Sequence, residues 1–300
     1  MQSALPNTPC WLNGAWMPLN EARVPVLDRG FIFGDGVYEF LPVYGRRLFR
    51  WTEHIARLEH SLEAVRIPNP YSREQWLALA RELVDRHVQA TGEDDLCLYL
   101  QVTRGVAPRD QRIPTGITPT VFLMSQAWPQ RPPEQRTHGV ACVTARDFRW
   151  ERCDIKTTSL ISNVMARQIA VDRGAAETIL LRELGGTSYV TEGTSSNVWV
   201  VIEGALIGVP SSLYTLAGVR IALLQELAEE EGIACHLRPI AEGELTHADE
   251  ILLNSAVREV LPVTLLDGEP VGHGAGRGKP GPVYARLHEA YQRAKQLQSI

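Results

Sequence analysis

Apolar residues recur at helical spacing in "TEHIARLEHSLEAVRIP", where Ile55, Leu58, Leu62 and Val65 fall on one face and Pro68 marks the stop. A second helix is predicted over "YSREQWLALARELVDRHVQATG". It opens with Ser72-x-x-Gln75, a capping-box pattern in which the two side chains satisfy the first amides, and it ends near Gly92. The runs "LCLYLQVTRG" and "TPTVFLMSQ" read as buried strands.

Further on, "VACVTA" and "ETILLRE" predict strands, with a helix between them from about residue 158 to Gly174. "NVWVVIEGALIGV" predicts two strands around a Glu203-Gly204 turn. Helices are expected from about Gly218 to Gly232 and over the C-terminal 18 or so residues. The stretch "AWPQRPPEQRTHG", 127–139, has three prolines and little apolar content, and proline resists both helix and sheet. It divides the chain into an N-terminal α/β domain, 1–126, a linker, 127–137, and a C-terminal domain, 138–300. "GHGAGRGKPG", 272–281, reads as a glycine-rich loop, and no internal repeat is present.

Composition narrows the class. The 300 residues are 44% hydrophobic and 22% charged, enough to bury a sizeable core. A net charge of −5 without a block of like charge argues against nucleic acid or an anionic membrane as the main partner. No apolar run approaches the roughly 20 residues that cross a bilayer, and the N-terminal 20 residues lack the basic and apolar regions of a signal peptide. Five cysteines, odd in number and without CxxC spacing, speak against a disulfide framework or a zinc site and for a reducing cytoplasm.

One residue stands out against that background. Of 30 lysines and arginines only three are lysines, Lys156, Lys279 and Lys295, so "RWERCDIKTTS" holds the only lysine among the first 278 residues. A lysine amine can lose its proton and attack a carbonyl, whereas guanidinium stays protonated. Lys156 is therefore a candidate for Schiff-base chemistry, set against the alternative of a surface lysine that escaped replacement. "YVTEGTSSNVWVV" places Glu192 at a strand end before a small, polar turn. "FGDGVYEF" offers two glycines for tight backbone approach but lacks the third glycine of a dinucleotide fingerprint. In "WTEHIARL", His54 and Arg57 lie one turn apart, which by itself suggests a solvated helix face. Trp11, Trp16, Phe31 and Phe33 read as packing residues and Cys153 as a small buried hydrophobe.

In order and spacing, "DRGFIFGDGVYEF", "EHIARL", "YLQVTRGVAPRD", "RCDIKTTSL", "VTEGTSSNV" and "ADEILLNSAVREVLPV" resemble the fold-type IV pyridoxal-phosphate-dependent aminotransferases, and among them the D-amino-acid branch. The similarity runs from about residue 11 to 271. It implies a two-domain α/β fold (α+β by some schemes) and a homodimer with pyridoxal 5'-phosphate between the domains. It also implies ping-pong transamination of D-amino acids with 2-oxo acids and no metal. Lys156 matches the lysine that binds the cofactor aldehyde and later carries the substrate proton. Glu192 matches the carboxylate that pairs with the pyridine nitrogen, and Arg57 matches the phosphate-binding arginine. Gly218 and Val219, at a helix start, and Ser255 with Ala256 match backbone phosphate contacts. Tyr38 and Arg109 match residues that grip the substrate carboxylate, the arginine on a loop from the partner subunit.

The chain departs from the family pattern in two places. Arg220 and Ala256 stand where relatives commonly present threonine, so a modified phosphate cup is expected. Gln111 replaces a histidine of the carboxylate grip, keeping a donor but losing charge, and Arg112 follows it. Three other readings share these motifs: a branched-chain L-amino-acid or (R)-amine aminotransferase, an aminodeoxychorismate lyase, and a non-catalytic protein that binds the cofactor.

Overall fold

The structure, a computed structural model, describes residues 6–216 and 218–300; the first five residues of the N-terminal stretch read above lie outside them. The chain divides into two units. One holds the described residues up to Pro129 together with Ile155–Leu160 and Lys295–Ile300; the other holds Gln130–Asp154 and Ile161–Ala294.

The first unit is built on an antiparallel sheet of strands β1 (Pro9–Leu12), β2 (Ala15–Pro18), β3 (Gly36–Tyr44), β4 (Arg47–Leu48), β5 (Leu96–Thr103) and β6 (Thr120–Ala127), in the order β2-β1-β6-β5-β3-β4. Side chains alternate along β3, so Val37, Leu41 and Val43 turn into the core while Tyr38 and Phe40 turn the other way. Besides the short α1 (Arg29–Phe33), two helices belong to this unit, α2 (Trp51–Ala64) and α3 (Arg73–Thr91). Leu58 and Leu62 of α2 and Trp76 and Leu83 of α3 join Leu98, Leu100 and Val102 of β5 in one apolar core. α3 keeps the bounds its sequence signals set, whereas α2 ends short of Val65, which the spacing places on its apolar face and which caps it instead. α2 stops at Ala64, ahead of Pro68. On α3 the Ser72 and Gln75 side chains accept from each other's backbone N–H, and Gly92 closes the helix at φ 77°.

The second unit holds a mixed sheet of nine strands among the described residues: β7 (Val140–Arg146), β8 (Glu177–Leu184), β9 (Thr187–Gly193), β10 (Asn197–Ile202), β11 (Ala205–Gly208), β12 (Cys235–Leu237), β13 (Glu250–Ser255), β14 (Glu259–Leu266) and β15 (Glu269–Pro270). The order is β12-β11-β10-β13-β14-β7-β8-β9, with β15 on β14. Glu203 and Gly204, both at positive φ, make the tight β10–β11 turn. Helices α4 (Glu134–Thr137), α5 (Ile161–Asp172), α6 (Val219–Glu230), α7 (Glu242–Leu245) and α8 (Pro282–Leu297, its last three residues belonging to the first unit) follow, and short 3-10 turns at Leu19–Glu21 and Gly274–Gly276 complete the secondary structure among the described residues.

Two expectations need correction. The proline-rich stretch holds a single helical turn, α4, because Pro132 and Pro133 have the φ that starts a helix and sit where no N–H is needed. Phe31, read as a packing residue, is 75% exposed.

Candidate active site

In the first unit, Lys156 is carried by a short segment that lies along β3. Tyr38 donates its N–H to the Lys156 carbonyl at 3.0 Å, the Thr158 N–H donates to Gly36 O at 3.0 Å, and Val37 and Thr157 form a bridge. Hydroxyls strengthen the seam: Thr158 Oγ1 donates to Gly34 O at 2.9 Å and Ser159 Oγ to the same oxygen at 3.0 Å. Gly34 allows it, having φ 65° and lying so close to Ser159 that a Cβ would come within 2.4 Å of its hydroxyl. The result is that Lys156 Nζ stands 4.1 Å from the centroid of the half-buried Tyr38 ring, which stacks on Tyr99.

One residue along β3, Glu39 points to the other face and is completely buried beneath α2. Arg57 grips it with a planar fork, Nε to Oε1 at 2.7 Å and Nη2 to Oε2 at 2.8 Å, while His54 Nδ1 approaches Oε2 at 2.8 Å. Burial opposes charge on Glu39, yet the Arg57 and His54 contacts outweigh it and hold the carboxyl far below the ordinary carboxylate range. His54 is thus buried and Arg57 half-buried rather than solvated: one turn of helix separates them, and both turn inward to one carboxylate.

In the second unit, Glu192 is the penultimate residue of β9 and is 8% exposed. Arg149 Nη1 donates to Oε1, and the Leu216 N–H donates to Oε2 at 3.1 Å. Arg149 is in turn fixed by Asp147, through Nε to Oδ1 at 3.0 Å and Nη2 to Oδ2 at 2.8 Å, and Thr191 Oγ1 donates to the same Oδ2 at 2.8 Å. Burial raises the Glu192 carboxyl above its ordinary value and Arg149 pulls against that rise. Burial also works against Arg149, but Glu192 and Asp147 outweigh it and keep the guanidinium charged. A cavity of about 760 Å3 is lined by Asp147, Arg149, Arg182 and Tyr214 among others.

The start of α6 lies nearby in the same unit. Its cap residue is Gly218, which has no side chain to accept from the first amides of the helix, so those amides are suited to an anion. A Cβ on Gly218 would meet Asn197 Oδ1 at 2.6 Å. The turn that carries Ser255 and Ala256 is tied to this helix start: Asn254 Nδ2 donates to Arg220 O at 3.1 Å, and Trp199 Nε1 donates to Asn254 Oδ1 at 3.3 Å. Arg220 is 4% exposed and therefore does not point to solvent.

Arg109 and Gln111 belong to an exposed loop of the first unit. The Arg109 guanidinium lies 5.7 Å from the Phe33 ring centroid. Arg112 is paired with Asp110 at 2.6 Å.

Sequence reasoning missed Glu39, Asp147 and Arg149. Glu39 left a signal, a carboxylate inside the otherwise apolar run "GVYEFLPVY". Asp147 and Arg149 left none beyond a pair of opposite charges two residues apart. Among the described residues no group of three or more His, Cys, Asp or Glu side chains is placed to hold a metal.

The chain matches the model of the family described as amino-transferase class IV over residues 36–266. A D-alanine aminotransferase of Bacillus licheniformis is 40% identical over 281 residues, 93% of this chain and 94% of that protein. One from Staphylococcus aureus (strain COL) is 38% identical over 291 residues, 97% and 99% of the two chains. Among solved structures, the branched-chain amino acid aminotransferase of Escherichia coli has the same fold, at TM-score 0.85 and 23% identity over 96% of this chain and 94% of that one. A branched-chain amino acid aminotransferase from T.th., solved with pyridoxamine 5'-phosphate, matches at TM-score 0.85 and 25% identity over 97% and 95%.

Proposed function

Because the chain belongs to the amino-transferase class IV family, we propose that it is a pyridoxal-phosphate-dependent aminotransferase that passes the amino group of D-amino acids, D-alanine foremost, to 2-oxo acids. What favours D-alanine over other donors is the 40% identity, across nearly the whole chain, to a relative named for that substrate.

The donor set suits the cofactor. Lys156 offers a primary amine, Glu192 a buried carboxylate, Arg57 a guanidinium, and the start of α6 a set of amides with no capping side chain. When bound, the cofactor would supply a reactive aldehyde and an electron-withdrawing ring. Lys156 would hold that aldehyde through its amine and would be the general base and acid that moves the substrate Cα proton. Glu192 accepts from the ring nitrogen and favours its protonated form. Arg57 and the amides at Gly218, Val219, Ser255 and Ala256 hold the phosphate. Tyr38, Arg109 and Gln111 orient the substrate carboxylate; Arg109 and Gln111 serve the partner's site in a homodimer.

The proposal also takes 1–126 and 138–300 as the N-terminal and cofactor-binding domains around a linker at 127–137, and the cytoplasm as the compartment. In favour of the last, four of the five thiols are buried, and no helix among the described residues is long and apolar enough to cross a membrane.

A half-reaction screen tests the proposal. Holoenzyme is mixed with D-alanine, D-glutamate, L-leucine or (R)-1-phenylethylamine, each alone, and the loss of visible cofactor absorbance is followed. D-Alanine is expected to bleach it fastest; a faster response to L-leucine or the amine would overturn the substrate assignment. Lys156→Ala should lower turnover by about a thousandfold or more, and near-normal turnover would remove Lys156 from its role.

A further inference from the structure

Glu192 carries a burden that the family resemblance does not address: it must stay ionised with almost no water around it. A buried carboxylate left to itself takes up a proton rather than stay charged. Here both oxygens are engaged, Oε1 by Arg149 Nη1 and Oε2 by the Leu216 N–H. A carboxylate has about four acceptor sites, so these two contacts leave room for a third donor. Arg149 is not a loose surface cation. It is 7% exposed, its Nε and Nη2 are forked onto Asp147, and Nη2 also donates to Tyr214 O at 3.2 Å. Asp147 is anchored by Thr191, the residue next to Glu192 on β9.

We infer that Arg149, held in place by Asp147, is a positioning residue that keeps Glu192 ionised and so decides how firmly the cofactor ring nitrogen retains its proton. The inference rests on the reading of Glu192 as the ring-nitrogen partner. Charge counting shows why the guanidinium matters. The groups that interact most strongly around this carboxylate are Arg149, Asp147, Arg182 and Cys153, with the Tyr214 ring 4.5 Å from the Arg182 guanidinium. Burial pushes the Cys153 thiol up to about 11, so it is neutral at physiological pH. Asp147 and Glu192 against Arg149 and Arg182 then sum to zero. Without Arg149, two buried carboxylates share one cation, and the cheapest relief is a proton on Glu192. A protonated Glu192 no longer favours a protonated ring.

The test is a spectroscopic one on holoenzyme reconstituted with cofactor labelled with 15N at the ring, compared across variants and pH. Arg149→Met is expected to bind the ring proton about tenfold or more weakly than the parent, the effect of losing one buried charge-assisted contact. Arg149→Lys, which keeps the charge but not the fork, should fall between. A ring nitrogen as fully protonated in Arg149→Met as in the parent would overturn the inference. If Arg149→Met does not fold, as judged by circular dichroism, Arg149→Lys decides, and an unshifted resonance there overturns it equally. Glu192→Gln run alongside separates the two levels. If it too leaves the resonance unmoved, the assignment of Glu192 fails; if only the Arg149 variants are silent, the assignment stands and the role of Arg149 falls.

Discussion

Glu39 shows what a single buried charge demands. With no exposed surface, its carboxylate is tolerated only because Arg57 and His54 reach it from the overlying helix. Replacing Glu39 with glutamine keeps the shape, removes the charge, and strips Arg57 of its forked partner. We expect a loss of about 3–5 kcal/mol, the usual cost of breaking a buried pair, read as a fall in the urea midpoint at constant slope. A variant as stable as the parent would show the pair to be dispensable. Lys156 was legible in the sequence because its residue type is scarce and its chemistry distinctive. The Glu39–Arg57–His54 cluster was not, because a helix-face reading of "EHIARL" sees a polar stripe and cannot see what packs on it. Arg149 was hidden for the same reason, since its partners Glu192, Thr191 and Tyr214 lie 42 or more residues away.

At the level of elements, the strongest local signals survived and the tertiary ones did not. The helix expected from residue 158 begins only at Ile161, because Thr157, Thr158 and Ser159 give their hydroxyls to backbone carbonyls beside β3 instead of entering a helical turn. Strand β12, three residues paired in parallel to β11, has no periodicity long enough to read. The capping box on α3, by contrast, forms as its sequence implies, since both bonds are local. Ser72→Ala should therefore cost about 1 kcal/mol. That would appear as a lower thermal midpoint without any change in cofactor absorbance, because α3 carries none of the proposed site residues. A cost near zero would mean that water replaces the serine hydroxyl at no loss.

For the molecule as a whole, the buried carboxylates set how stability responds to acid. Burial opposes ionisation at Asp35, Glu39 and Asp147, but arginine partners outweigh it and hold all three below their ordinary values. A carboxyl whose folded value is depressed binds protons more readily in the unfolded chain. Its stabilisation is complete above the unfolded value, about 4, and drains away as pH falls toward the folded one. Glu192 and Glu250 work the other way: burial raises both, so the stability they lend is present at low pH and is lost as pH rises through their folded values. The depressed set should dominate, because each of its members answers to one or two guanidinium groups, whereas Glu250 is held by the Val283 and Tyr284 N–H groups alone. Urea midpoints measured from pH 8 downward should stay nearly level to about pH 5 and then fall steeply toward pH 3. If the midpoint instead rose on acidification, the raised pair would be the controlling one, and the arginine partners would contribute less than their geometry implies.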